Sequence, residues 1–278
     1  MTLVVKLGSD IDGDAVLDDI AALTAQGTRV VLVHGGGAEA DRLNGQLGRT
    51  VEHLRSADGT SARRTDAAAL DALTMALLGR VKPALLSGLR RRGIAATGLS
   101  GADGGTLTAV RKTALRVYDA DGRARIVRDD LSGRVERVRP ALLRTLLDAG
   151  ELPVLSPPAA AEDGTLLNVD ADRAAAAVAT ALGATALVLL TRAPGVLADL
   201  DRPDSVLPEL ETGPGAELPP SVRGRMRHKL RAAADALAGG VDLVAIAPGD
   251  GPGPVRAALA SRTGTRLRLP ATAHREPA

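Results

Sequence analysis

The chain contains no cysteine, no phenylalanine and no tryptophan, and its single tyrosine is Tyr118. Without cysteine there can be no disulfide, no thiolate catalysis and no cysteine-ligated zinc, which fits a reducing, cytoplasmic setting. Single-stranded nucleic acid is held largely by stacking on aromatic faces, so the lack of aromatics weighs against that class. The core must be built from Leu, Val, Ile and Ala, and an adenine bound here would rest between aliphatic side chains and backbone. An excess of one charge is also missing. The 35 Lys and Arg face 33 Asp and Glu, a formal net charge of +2 that is too balanced to imply nucleic acid. No basic flank, apolar stretch and cleavage site form an export signal. One uncharged stretch, residues 174–191, approaches the length of a membrane span, but Gly183 divides it. It reads as a helix from about 171 to 182 followed by a buried strand from 185 to 190, and no membrane association is expected.

What is present begins with Val30-Val31-Leu32-Val33-His34-Gly35-Gly36-Gly37, followed by a helix-like segment over 38–47. A run this short and aliphatic reads as a buried parallel strand. Its glycines let backbone N–H groups approach a ligand where a helix begins, which makes a seat for phosphate. Two other readings stand beside it: a plain tight turn, and the G-x-G-x-x-A fingerprint of a dinucleotide fold at Gly35–Ala40. Residues 2–9 form a second strand that carries Lys6 where a buried strand should be apolar, so its charge needs a partner. Between the strands lies a helix that Asp14 is expected to cap and Gly27 to end. The resulting β-α-β unit sets Lys6, Gly8 and Gly35–Gly37 at one carboxyl edge, where open α/β sheets bind ligands. The dinucleotide reading fails there, because Lys6-x-Gly8 occupies the first strand's turn, and no G-x-x-x-x-G-K-[ST] motif occurs.

Further along, Arg63 precedes a helix whose Leu70, Leu73 and Leu77 face inward. Its guanidinium either clamps a carboxylate or pairs with Asp66. The glycine-rich stretch 98–105 reads as a binding loop. Antiparallel strands follow over 107–138, turned at Asp121-Gly122 and rich in cations, among them Arg111, Lys112 and Arg116. Such a flap is either a charge-protected edge or a dock for an acidic partner. Asn168, Asp170 and Asp172 stand before the alanine-rich helix, where capping alone would explain them. A strand ending at Thr191, a helix opened by Gly224–Lys229, a last strand over 241–247 and a short helix near 255–261 complete alternating β/α order. The segment 213–220 reads as a mobile loop over the site.

Lys6-x-Gly8, His34-Gly35-Gly36-Gly37, Arg63-x-Thr65, Asn168-x-Asp170-Ala171-Asp172, Pro194-Gly195-Val196 and Gly224-x-Met226 with Lys229 occur in the order used by the amino acid kinase family. Together they resemble its acetylglutamate kinase branch over roughly residues 3–269. Gly98-Leu99-Ser100-Gly101-x-Asp103-Gly104, Arg111-Lys112-Thr113, Pro153-Val154-Leu155-x-Pro157-Pro158 and Gly224-Arg225-Met226 are most similar to the carrier-dependent kinases of lysine biosynthesis. Those enzymes phosphorylate the side-chain carboxylate of α-aminoadipate while a small acidic carrier protein masks its amino group.

The resemblance implies an α/β fold, a three-layer αβα sandwich with a mostly parallel central sheet, as one domain over 1–278. Its N-terminal half, about 1–156, would bind the acceptor and dimerise, its C-terminal half, about 157–269, would bind nucleotide, and 270–278 would be a loose tail. ATP with Mg2+ would be the donor, with no metal held by the protein itself. Lys6 and Lys229 would stabilise charge on the moving phosphoryl group, with Asp172 holding both. Gly8, Gly36 and Gly37 would offer N–H groups to phosphate, and Gly35, Gly36, Arg63 and Asn168 would bind the acceptor. Thr191, Pro194, Gly195 and Val196 would lie near the nucleotide, and Arg111, Lys112 and Arg116 would dock the carrier. Two departures mark this chain: Asp170 stands where the branch commonly has Asn, and Arg64 brings a second guanidinium to the acceptor loop. Kinase action on free N-acetylglutamate and a non-catalytic nucleotide or amino-acid sensor are the alternative readings.

Overall fold

The computed structural model describes residues 1–55, 61–118, 123–214 and 216–270. The turn expected at Asp121-Gly122 and the tail beyond Pro270 lie outside them. In the first half, the elements are β1 (Thr2–Leu7), α1 (Asp14–Ala25), β2 (Arg29–His34), α2 (Gly37–Gln46), β3 (His53–Arg55) and β4 (Ser61–Arg63). There follow α3 (Ala67–Ala76), a π-helical turn (Leu77–Val81), α4 (Lys82–Arg91), β5 (Ala96–Ser100), β6 (Leu107–Arg111), β7 (Leu115–Tyr118), β8 (Ala124–Val127) and β9 (Gly133–Val138). The rest comprises α5 (Ala141–Asp148), β10 (Leu152–Ser156), β11 (Ala159–Ala160), β12 (Leu166–Leu167), α6 (Ala171–Leu182), β13 (Ala186–Thr191) and β14 (Glu209–Glu211). The last elements are α7 (Gly224–Ala238), β15 (Leu243–Pro248), α8 (Pro254–Leu259) and β16 (Thr265–Arg268).

Eight strands form the central sheet in the order β14-β16-β15-β13-β1-β2-β10-β5, parallel throughout except for the β15/β16 pair. The alternation of a strand decides which layer each side chain meets. Leu3, Val5 and Leu7 of β1 pack with α1, α4 and α8, whereas Val4 packs with α5, α6 and α7. Lys6 shares the parity of Val4 and so faces the α6/α7 layer. That layer contributes small buried residues, Ala174, Ala175 and Ala179 from α6 and Ala232, Ala233 and Ala236 from α7. Small side chains let these helices lie close on the sheet, and the volume that aromatics would fill is taken by leucine.

Two smaller sheets, β12-β11-β6-β9 and β4-β3-β7-β8, make the flap beside the first half. Several expectations change. Gly13, not Asp14, is the N-cap of α1. Gly98 belongs to β5, where an added Cβ would come within 2.8 Å of Lys82 Cδ, and Asp103 folds the following turn by accepting from the Ser100 N–H at 2.7 Å. The 98–105 stretch is thus a packing device. The final strand is β16, whose Thr265 and Leu267 are buried while Arg268 faces out. Arg266 and Arg268, on either side of Leu267, concealed its alternation. Gly183 does divide 174–191, in a left-handed conformation (φ 63°) that ends α6. Among the described residues, the 25-residue helical run Ala67–Arg91 is the one that is long and apolar enough to match a membrane span. Leu70, Leu73, Leu77, Leu85 and Leu89 bury its inner face, as expected of a core helix.

Candidate functional site

The carboxyl ends of β1, β2 and β13 and the starts of α2, α6 and α7 surround a cleft of about 990 Å³. The β-α-β unit brings Lys6, Gly8 and Gly35–Gly37 to it from one side, and α6 and α7 bring Asp172 and Lys229 from the other. Lys6 Nζ lies 2.8 Å from Asp172 Oδ1, and Lys229 Nζ lies 3.0 and 3.1 Å from the two carboxylate oxygens. The partner that Lys6 required is therefore Asp172, 166 residues away in the chain. All three side chains are less than a tenth exposed.

Burial alone would raise the Asp172 pKa. The two ammonium groups and their hydrogen bonds outweigh it and bring the carboxyl to about 2. Burial, and then repulsion from Lys6, pushes the Lys229 ammonium down, opposed by Asp172. One carboxylate between two ammonium groups leaves one positive charge in excess, buried and facing the cleft. The complement of such a site is an anion.

Above this triad, α2 starts at Gly37, and its first-turn N–H groups have no acceptor within the helix. A Cβ on Gly36 would lie 2.5 Å from Leu77 Cδ2, so the π-helical turn packs directly against this glycine. Gly36→Ala is expected to overpack that contact at a cost of about 1–3 kcal/mol. Thermal melting and a nucleotide titration check it, and an alanine variant that melts and binds like the parent would contradict this role.

Arg63 lines the cleft with its guanidinium on Asp41 Oδ1, at 2.5 Å, and on the Gly37 carbonyl, at 3.1 Å. The pairing with Asp66 does not form, because Asp66 caps α3 through the Ala69 N–H. Asn168 also lines the cleft and donates to Thr65 Oγ1 at 3.1 Å. Behind them, buried Asp130 accepts from the N–H groups of Thr65 and Ser132, tying the loop after Arg63 to the flap. Arg64 does not enter the cleft. It bridges Glu52, at 2.8 Å, to Asp129, at 2.5 Å, on the outside of the flap. Asp170 caps α6 by accepting from the Arg173 N–H at 2.9 Å, which an asparagine in its place would do equally well.

Of the flap cations, Lys112 and Arg116 line the cleft and are exposed. Arg111 does not. Its guanidinium donates to the carbonyls of Asp130 and Arg128 and braces the flap from within. On the opposite side, Thr191, Gly195 and Val196 line the cleft, whereas Pro194 is outside its lining and exposed. Gly195 is packed against Val206, and the Val196 N–H donates to Thr265 Oγ1 at 2.8 Å. Leu197, Leu200, Val222 and Met226 give this half an aliphatic wall. Met226 stood in the Gly224-x-Met226 motif, but no local pattern singled out Leu197, Leu200 or Val222, and only the chain's lack of aromatics pointed to such a surface. Arg225 reaches across the mouth to Asp10 at 3.1 Å. Among the described residues, no group of three or more His, Asp or Glu is placed to hold a metal ion.

The model of the amino acid kinase family matches residues 1–247. The LysW-aminoadipate kinase of Deinococcus radiodurans is 39% identical over 260 residues, which cover 93% of this chain and 89% of that one. The acetylglutamate kinase of Methanopyrus kandleri is 40% identical over 241 residues, covering 85% and 91%. Among solved structures, a Streptococcus mutans protein superposes with a TM-score of 0.77 at 24% identity, covering 97% and 99%, a likeness of fold. The chain belongs to the amino acid kinase family, as its glycine turns and lysine-aspartate-lysine triad indicated.

Proposed function

We propose that the chain is an ATP-dependent kinase that phosphorylates the side-chain carboxylate of L-2-aminoadipate or glutamate while an acidic carrier protein holds the amino group. The observation that carries this reading is the buried carboxylate between two buried lysines, with an excess positive charge facing the glycine turns. An acceptor carboxylate, with a pKa of about 4.3, is already ionised at neutral pH, so no general base is needed. One of its oxygens attacks the γ-phosphorus as the bond to the β,γ-bridging oxygen breaks, giving an acyl-phosphate and ADP. Lys6 and Lys229 offset the charge on the transferring group and leaving oxygen, Asp172 holds their ammonium groups in place, and the N–H groups at Gly8, Gly36 and Gly37 meet phosphoryl oxygens.

Gly35, Arg63 and Asn168 bind the acceptor, with Asp41 keeping the Arg63 fork aligned until a substrate carboxylate arrives. The aliphatic wall at Val196, Leu197, Val222 and Met226 takes the adenine, with Thr191 and Gly195 beside it. Mg2+ would come with the ATP, where its positive charge would offset that of the phosphates beside Lys6 and Lys229. The protein works as a cytoplasmic homodimer, and a light-scattering mass of one chain would contradict the dimer.

Lys112 and Arg116, exposed at the rim, are the carrier-facing cations. A double reversal, Lys112→Glu with Arg116→Glu, is expected to raise KM for a carrier-linked acceptor about tenfold or more and leave kcat within twofold. Steady-state kinetics at two salt concentrations check this. An unchanged KM for the carrier-linked acceptor would favour the free-substrate reading, which the 40% identity to an acetylglutamate kinase keeps in view.

A further inference from the structure

His34 ends β2 immediately before the glycine turn and is 1% exposed. Its Nδ1 lies 3.0 Å from the carbonyl oxygen of Gly35. A carbonyl only accepts, so Nδ1 carries the ring proton in this contact. A trans peptide sets its C=O and N–H on opposite sides. Drawing the Gly35 oxygen toward a buried ring therefore turns the N–H of Gly36 the other way, into the cleft that Gly36 lines.

The far side of the ring offers a second observation. Among the described residues, three buried side-chain polar atoms lack a hydrogen-bond partner, and two of them are His34 Nε2 and Ser156 Oγ. β2 and β10 run parallel with Leu32 opposite Val154 and Val33 opposite Leu155, so the next step sets His34 beside Ser156. Leu32 and Val154 pack in the same cluster, and two residues on, both polar side chains face that same layer. Paired strands are about 4.8 Å apart. The two atoms share no direct hydrogen bond, so the Ser156 hydroxyl is placed to complement the Nε2 lone pair through one internal water, and so to keep the proton on Nδ1.

We propose that His34 is a positioning residue of the phosphate seat: its Nδ1–H holds the Gly35 carbonyl inward and thereby aims the Gly36 N–H at the transferring phosphoryl group, with Ser156 fixing the tautomer. The assignment rests on the kinase reading above. Burial, with the charges of Lys82 and Lys6, brings the His34 pKa to about 4 despite the Gly35 hydrogen bond, so the ring stays neutral at working pH and its role does not titrate there.

The test compares His34→Asn, whose amide nitrogen occupies the place of Nδ1, with His34→Gln, whose amide reaches toward Nε2. Calorimetry reads the affinity of each for the β,γ-imido analogue of ATP with Mg2+ and for AMP, which lacks the β- and γ-phosphates. His34→Gln is expected to bind the analogue about tenfold more weakly with AMP affinity unchanged, and His34→Asn to stay within threefold of the parent. Ser156→Ala, the smaller change, is expected to weaken the analogue two- to threefold and spare AMP. Equal weakening by Asn and Gln would assign the effect to ring volume and overturn the proposal, as would a parallel loss of AMP binding or no loss in His34→Gln and Ser156→Ala. A parent protein that bound no analogue would refute the kinase reading itself.

Discussion

Lys229→Ala is expected to lower kcat by about a thousandfold, with Lys6→Ala close behind. A charge aimed at the transferring phosphoryl group acts in a cleft partly shielded from water, and removing one such group costs about two to three orders of magnitude or more. The effect should fall on kcat more than on KM, because the charge that the lysines meet is largest while the phosphoryl group is in flight. Stability should change little. Each alanine variant leaves Asp172 paired with the remaining ammonium and removes the repulsion between the two lysines. Steady-state kinetics together with thermal melts separate the two effects. If both variants turned over within tenfold of the parent, the lysine pair would not be the catalytic machinery.

Asp172→Asn is expected to do the reverse, harming fold and activity together. It leaves two buried ammonium groups without their carboxylate, and breaking a buried ion pair from one side costs about 3–5 kcal/mol. In a chain of this size that lowers the melting temperature by roughly 6–10 °C. The pH dependence follows from the lowered pKa. The unfolded carboxyl titrates near 3.9 and the folded one at about 2, so the ionised group's contribution is complete above about pH 5 and is lost as pH falls toward 2. The melting-temperature gap between parent and variant should therefore be constant from pH 6 to about 5 and shrink below it. A gap independent of pH down to 2.5 would show that the carboxylate does not carry the stabilisation.

The parts legible in the sequence are those with a local signature. The aliphatic run before Gly35 gave β2, the alternation around Lys6 showed an unpaired charge, and Gly183 marked the end of α6. The family motifs then joined segments that composition alone could not bring together. What escaped was mostly pairing at long range. Nothing near Arg63 announces Asp41, 22 residues earlier, and nothing near Arg64 announces Asp129, 65 residues later. In the flap, period-two alternation told that cations were present but not which ones turn inward, so Arg111 and Lys112 looked equivalent until backbone carbonyls claimed Arg111. Glycine at 98–105 suggested a loop because Gly98 carries no strand signal of its own. Its role is to leave room for the buried stem of Lys82.

The central claim, phosphorylation of a carboxylate, is tested most directly by trapping the acyl-phosphate with hydroxylamine under ATP and Mg2+. Carrier-linked aminoadipate, carrier-linked glutamate and free N-acetylglutamate are offered side by side. The account predicts hydroxamate from a carrier-linked acceptor, in amounts equal to the ADP released, and none from the Lys229→Ala protein. Hydroxamate from free N-acetylglutamate alone would keep the chemistry and contradict the carrier, and silence from all three acceptors would contradict the account.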